Sequence, residues 1–308
     1  MFPLFALSLA LFLPSASSRS DDLPTTRAEL LVRDGVGRTV KIPSPASRIV
    51  SMAPSVTETL FALGGGDRIV GVTDFCDQPA AALHKARIGG MVNPSWEAIV
   101  SLDPDLLIAT TSGNDSSVIA RADSLHLPVY FLDTPDVDSM IGSLIPLGRI
   151  LDSPDRARAL RGELVRRLDH LKARVGQRPR TKVLFLVWND PIVVPGHGTF
   201  LDDALRRCGC DSITSDAPTE WPTYDLETLM VRNPRWILAA SQNAAFLQSL
   251  REKPGWREME AVRYGRVATV SAAMERPAPR VVEAMEELAD LLEKGAPIND
   301  RAGKPARP

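Results

Sequence analysis

The stretch 153–177, "SPDRARALRGELVRRLDHLKARVGQ", decides the fold. Ser153 then Pro154 is a helix-start signal: a polar cap, then a proline whose missing N–H the first turn does not need. Ala157, Leu160, Leu164, Leu168, Leu171 and Val175 recur every three or four residues and form one apolar stripe. Glu163 stands four residues before Arg167, a spacing that supports a helix. The segment reads as a single amphipathic helix of about 22 residues, hence about 33 Å long. Its other face is studded with arginines, which we read as a solvated face in preference to a site for an acidic partner.

Outward from this helix, the chain is built alike on both sides. Upstream, "AELLVRDGVGRTVKIP" (28–43) reads as a hairpin about an Asp-Gly turn. Then come "RIVSM" as a strand, "SVTETLFALGG" as a helix closed by glycine, and "RIVGV" as a strand. "WEAIVSLDPDLLIAT", "LPVYFLD" and "VDSMIGSLIPLGRIL" follow, and after the long helix the alternation resumes at "KVLFLVW". Short apolar runs alternating with helical periodicity indicate βα units and a mostly parallel sheet. The chain also repeats itself: "WEAIVSLDPDLLIA" (96–109) aligns without gaps to "LETLMVRNPRWILA" (226–239), matching Glu97 with Glu227 and Pro104 with Pro234. Two similar α/β lobes joined by a helical strut account for this pattern. The expected boundaries are a hairpin segment at 19–45, a first lobe at 46–151, the strut at 152–178, a second lobe at 179–296 and a disordered tail at 297–308. The strut's continuous apolar stripe implies that the lobes move little relative to each other.

Residues 1–18 carry an apolar run ending at Pro14 and then small residues, the pattern of a cleaved secretory signal, although no Lys or Arg precedes the run. About 12 apolar residues are too few to span a bilayer. No cysteine precedes Cys76, so a lipid anchor near the cleavage point is not expected, and an exported, periplasmic protein is. The formal charge of −2 without a basic block argues against nucleic acid as a partner. Cys76, Cys208 and Cys210 leave two readings open, one bridge or three free thiols.

Catalytic signals are sparse. "GGGDR" lacks the GK[ST] of a phosphate loop and reads as a helix end. "GHGTFLDDAL" is a glycine turn before a helix capped by Thr199; His197 with Asp202 or Asp203 is the one arrangement that would suit a metal-assisted hydrolase. No histidine spacing suggests a metal site, and an enzyme is not expected. Several aromatics instead sit at strand ends and in loops: Phe75 ends "GVTDF", Trp188 and Asn189 end a strand, and Trp221 and Tyr224 lie in "TEWPTYD". Ligands of α/β lobes bind beyond the carboxyl ends of strands, and flat side chains there suit a planar, mostly apolar ligand.

"VRDGVGRTVKIPSPASRIVSMAPSVTETLFALGGGDRIVGVTDFCDQP" closely resembles the first lobe of solute-binding proteins that serve ABC importers of cobalamin, ferric siderophores and haem. "GGMVNPSWEAIVSLDPDLLIA", "PGHGTFLDDALRRCGC", "YDLETLMVRNPRWIL" and "MERPAPRVVEAMEELADLL" are similar to that family's later motifs, in order. The resemblance implies an α/β fold of two Rossmann-like lobes joined by a single long α-helix, with the ligand cleft between them. It implies a monomer that binds a small molecule, carries no cofactor of its own and docks on an inner-membrane permease. The transported ligand is then cobalamin or another corrinoid, with a ferric siderophore or haem (His197 or Tyr224 as axial ligand) as the alternative. In the cobalamin-binding members a glutamate on each lobe's rim pairs with permease arginines; Glu97 and Glu275 match those positions. Phe75 falls at one of their aromatic positions, whereas Ile88 and Ala273 stand near or at others.

Overall fold

The computed structural model describes residues 28–295; the expected leader at 1–18 and tail at 297–308 lie outside the described residues. Strands β1 (Glu29–Arg33) and β2 (Thr39–Pro43) pair antiparallel, with Val32 opposite Val40. The turn between them is held by the Asp34 carboxylate, which accepts from the Arg38 backbone N–H at 2.8 Å and from its guanidinium at 2.7 Å.

The first lobe follows as β3 (Ile49–Ser51), α1 (Pro54–Ala62), β4 (Ile69–Val72), β5 (Ala86–Arg87), α2 (Trp96–Ser101), β6 (Leu106–Thr110), α3 (Ser117–Ser124) and β7 (Val129–Leu132). Its parallel sheet has the order β5-β4-β3-β6-β7. Every residue of β6 and β7 is buried, as strands covered on both faces require. Helices α4 (Val137–Ile150) and α5 (Pro154–Val175) lead out of this lobe. The second comprises β8 (Thr181–Leu186), a small ribbon of β9 (Trp188–Asn189) and β10 (Ile192–Val193), then α6 (Phe200–Arg207), β11 (Cys210–Ser212), α7 (Leu226–Arg232) and β12 (Trp236–Ala240). It ends with α8 (Ala244–Ser249), α9 (Glu260–Arg263), β13 (Val267–Val270) and α10 (Val281–Lys294). Its sheet is also parallel, in the order β11-β8-β12-β13.

The repeat seen in sequence is a repeat in space. Helices α2 and α7 are each capped by a side chain, Ser95 accepting from Ala98 N–H at 3.2 Å and Asp225 from Thr228 N–H at 2.7 Å. Each leads through a left-handed residue, Asp103 (φ 46°) and Asn233 (φ 42°), into an interior strand of its sheet, β6 and β12. One continuous apolar core joins Ile49 and Leu106 of the first lobe, Leu164 and Leu171 of α5, and Val183 and Leu238 of the second.

Two details of the strut depart from expectation. Ser153 makes no capping bond; its hydroxyl is buried and without a hydrogen-bond partner. Nor is the arginine face simply solvated, for three of its cations meet acids of α10. Arg167 pairs with Glu286 at 2.7 Å, Arg174 with Asp290 at 2.7 Å, and Arg178, just beyond the helix, with Glu293 at 2.6 Å. The acids sit at intervals of four and three, so they line up on one face of α10 along the strut. Cys76, Cys208 and Cys210 are buried and free, which decides between the two readings.

Candidate ligand cleft between the lobes

In both sheets the strand order reverses beside the first strand of the lobe, between β3 and β6 and between β8 and β12. Loops diverge there, leaving a crevice at the carboxyl ends of the strands. In the first lobe Asn114, buried just after β6, locks this place. Its Oδ1 accepts from the Thr110 N–H at 2.9 Å, and its amide donates to the carbonyls of Met52 at 3.0 Å and Met91 at 2.9 Å. After β7, Asp133 accepts from the Thr111 hydroxyl at 2.6 Å. The hairpin turn buttresses this loop: Gly35 N–H donates to the Phe131 carbonyl at 2.7 Å, and a Cβ at Gly35 would lie 2.3 Å from the Asp133 nitrogen. Only glycine permits that approach.

The facing wall comes from three loops of the second lobe. Thr199 caps α6, accepting from Asp202 N–H at 3.1 Å. Gly196 N–H donates to the Glu220 carbonyl at 2.7 Å, and a Cβ there would sit 2.0 Å from the Thr219 oxygen, so glycine again allows two loops to touch. The result is a cavity of about 460 Å³ with Thr111, Ser112 and Asp133 on one side and Glu220, Trp221 and Glu275 on the other.

Glu275 is therefore not the freely exposed rim charge expected from sequence. It is half-buried on the cavity wall and accepts from the Gln242 amide at 2.6 Å; burial pushes its carboxyl up, against the pull of Gln242 and Arg276. Its neighbour turns the other way. Arg276 reaches across to the first lobe, 2.8 Å from Glu58 and 2.5 Å from Asp77, and Arg280 lies 3.4 Å from Glu58. The Glu58 side chain is only 3% exposed. Burial works against the Arg276 charge, but Asp77 and Glu58 outweigh it and hold the guanidinium protonated. In return the Arg276 hydrogen bond keeps the Asp77 carboxyl below its ordinary range. A second tie between the lobes runs from Asp203, which accepts from Val137 N–H at 3.1 Å, through Arg207 to Asp138 at 2.8 Å.

Of the aromatics singled out in sequence, only Trp221 lines the cavity, 50% exposed. Phe75 (59%) and Trp188 (57%) are also exposed but lie outside its wall, the Trp188 indole N–H donating to the Asp190 carbonyl at 2.8 Å. Asn189 pairs with Ile192 in the small ribbon. The Tyr224 ring packs on the second lobe's outer core, with the Arg232 guanidinium 5.0 Å from its centroid. His197 is well exposed and 3.9 Å from Asp202, whose enclosed carboxyl burial pushes up against the pull of Arg206 and His197. Among the described residues no group of three or more His, Cys, Asp or Glu gathers as a metal site. Glu97 is exposed on the first turn of α2, and Glu227 is exposed at the matching place on α7. The sequence alignment of the two copies already paired them. The cavity residues Thr111, Ser112 and Asp133 were missed, although "TSGND" (111–115) directly follows one wholly buried strand and Asp133 another.

Two parallel-sheet lobes, a long helix and a cleft at facing strand ends define a two-lobed ligand-binding protein. The chain belongs to the periplasmic binding protein family, whose model matches residues 49–273. It is 27% identical over 252 residues to the vitamin B12-binding protein of Vibrio cholerae serotype O1, covering 81% of this chain and 90% of that one. The solved structure of the periplasmic vitamin B12 binding protein BtuF of Vibrio cholerae is similar at a TM-score of 0.74 and 26% identity, over 81% of this chain and 98% of that one. The periplasmic heme-binding protein BhuT in complex with two hemes is similar at 0.72 and 25% identity, over 80% and 98% of the two chains. These relatives are binding proteins, not enzymes.

Proposed function

We propose that this chain is the periplasmic substrate-binding component of an ABC importer, taking a corrinoid such as cobalamin between its lobes and delivering it, as a monomer, to an inner-membrane permease. The observation that carries the reading is the cavity at the facing strand ends, walled by both lobes and bearing the half-exposed Trp221. Phe75 and Trp188 are further exposed rings for the faces of a flat ligand, with Asn189 and Tyr224 supporting the loops around them. The B12-binding relatives favour a corrinoid. Docking is assigned to Glu97 and, on the second lobe, to Glu227 in place of Glu275. Glu227 occupies the position equivalent to Glu97 and is exposed, whereas Glu275 faces the cleft.

Titrating cobalamin, cobinamide, haem and ferric siderophores side by side tests the ligand. A corrinoid should quench tryptophan emission and saturate at one per protein, and Trp221→Ala should weaken it by about 1–3 kcal/mol. Binding of a siderophore with none for any corrinoid overturns the choice of ligand. For docking, Glu97→Lys with Glu227→Lys should abolish uptake and spare affinity; loss of affinity instead would place these residues in the cleft. Haem is the second reading, with exposed His197, the chain neighbour of the wall residue Gly198, as its axial ligand. A Soret shift lost in His197→Ala would support it.

A further inference from the structure

Among the described residues, the cavity is lined by three carboxylates, Asp133 from the first lobe and Glu220 and Glu275 from the second, and by no lysine, arginine or histidine. The absence of a cation has a structural cause. The loop that carries Glu275 also carries Arg276, but that guanidinium is drawn out of the wall by Glu58 and Asp77. Arg280 is held by the same Glu58. Further round, Arg206 and Arg207 are engaged by Asp203 at 2.9 and 2.8 Å. The nearby positive charge is thus neutralised within the protein while the negative charge faces the ligand. Inside a partly enclosed cleft such charges act more strongly than in open water. Burial already raises the Glu275 carboxyl, so a further anion beside it would be opposed.

We infer that the cleft selects its ligand by charge: it accepts a neutral or cationic molecule whose edge donates hydrogen bonds, through primary amides or ammonium groups, and rejects polyanions of the same shape. Asp133 and Glu220 are the specificity-determining side chains, each lining the cavity with a carboxylate able to accept from an amide N–H. This rests on the cleft being the ligand site but not on the ligand being a corrinoid. Amide-bearing corrins and cationic hydroxamate chelates satisfy it. Carboxylated corrins, haem with its propionates and tricatecholate chelates do not.

The test uses matched pairs that differ in charge. Cobinamide and cobyrinic acid share one corrin ring, with peripheral amides in the first and carboxylates in the second. Ferrioxamine B and a ferric tricatecholate provide a cation and an anion on a different scaffold. At low salt and pH 7 the amidated or cationic member of a pair should bind at least about tenfold more tightly, a difference of about 1.4 kcal/mol. That preference should shrink several-fold as ionic strength rises from about 10 mM to about 0.5 M. Asp133→Asn with Glu220→Gln, checked for an unchanged thermal midpoint, should bring the members of a pair toward parity. Ferrioxamine B binding with no corrin bound would reject the corrinoid reading and support charge selection. Cobyrinic acid binding as tightly as cobinamide, or a preference indifferent to salt, would overturn charge selection and leave the corrinoid reading standing.

Discussion

Arg276 is the side chain on which most depends at the scale of single residues. It spans the lobes to a glutamate that is almost wholly enclosed, and its removal leaves Glu58 with only Arg280, 3.4 Å away. Breaking one partner out of a buried ion pair costs about 3–5 kcal/mol, and the remaining arginine should keep Arg276→Met toward the lower end. The loss should depend on pH with a definite sign. Asp77 is held below its ordinary range by Arg276, so the stability it contributes is present above the unfolded carboxylate value, about 4, and fades as pH falls through the depressed value. Thermal melts of wild type and Arg276→Met should therefore differ most at neutral pH and converge in acid. An equal gap at pH 7 and pH 3 would mean that the guanidinium acts through packing and not through charge.

Among the elements, α5 is held in two different ways, and they should respond differently to mutation. Its apolar side buries Ala157, Leu164 and Leu171 in the core that continues into both lobes. Leu164→Ala should cost about 2–5 kcal/mol through the cavity it leaves. Its charged side meets α10 through Arg167, Arg174 and nearby Arg178, but these groups are about a third exposed or more and screened by solvent. A double-mutant cycle on Arg167 and Glu286 should give a coupling of only about 0.5–1 kcal/mol, despite its bidentate geometry, and less in high salt. The ion pairs orient α10 on the strut, and the leucines hold it in place. A coupling larger than the Leu164 effect would reverse that order.

For the whole molecule, the core that runs through α5 and the two charged ties, Arg276 to Glu58 and Arg207 to Asp138, all oppose separation of the lobes. Domain closure needs a few residues free to absorb dihedral change, and a helix packed along its length offers none. Small-angle scattering should therefore give nearly superimposable profiles with and without saturating corrinoid. Arg276→Met with Arg207→Ala should expand the free form, and ligand should reverse the expansion. A large compaction of the wild type on binding would show that the ties open readily.

Much of this molecule was legible along the chain because the responsible forces act over a few residues. The 3.6-residue stripe of α5, the hairpin turn at Asp34 and the duplicated helix–turn–strand depend on near neighbours, so periodicity and turn chemistry expose them. The same duplication aligned Glu227 with Glu97, although the resemblance had assigned docking to Glu97 and Glu275. The cleft was different. Its wall is assembled from residues near 111, 133, 220 and 275, and only folding brings those loops together. Whether an arginine faces solvent, an acid of α10 or the opposite lobe is likewise set by partners more than a hundred residues away, as with Arg167 and Glu286 or Arg276 and Glu58. The sequence by itself determined the two-lobed α/β architecture, since hydrophobic pattern dictates which faces are buried. Only the tertiary structure decided the sign of the cleft's charge, because charges far apart in the chain cancel or persist according to which of them meet.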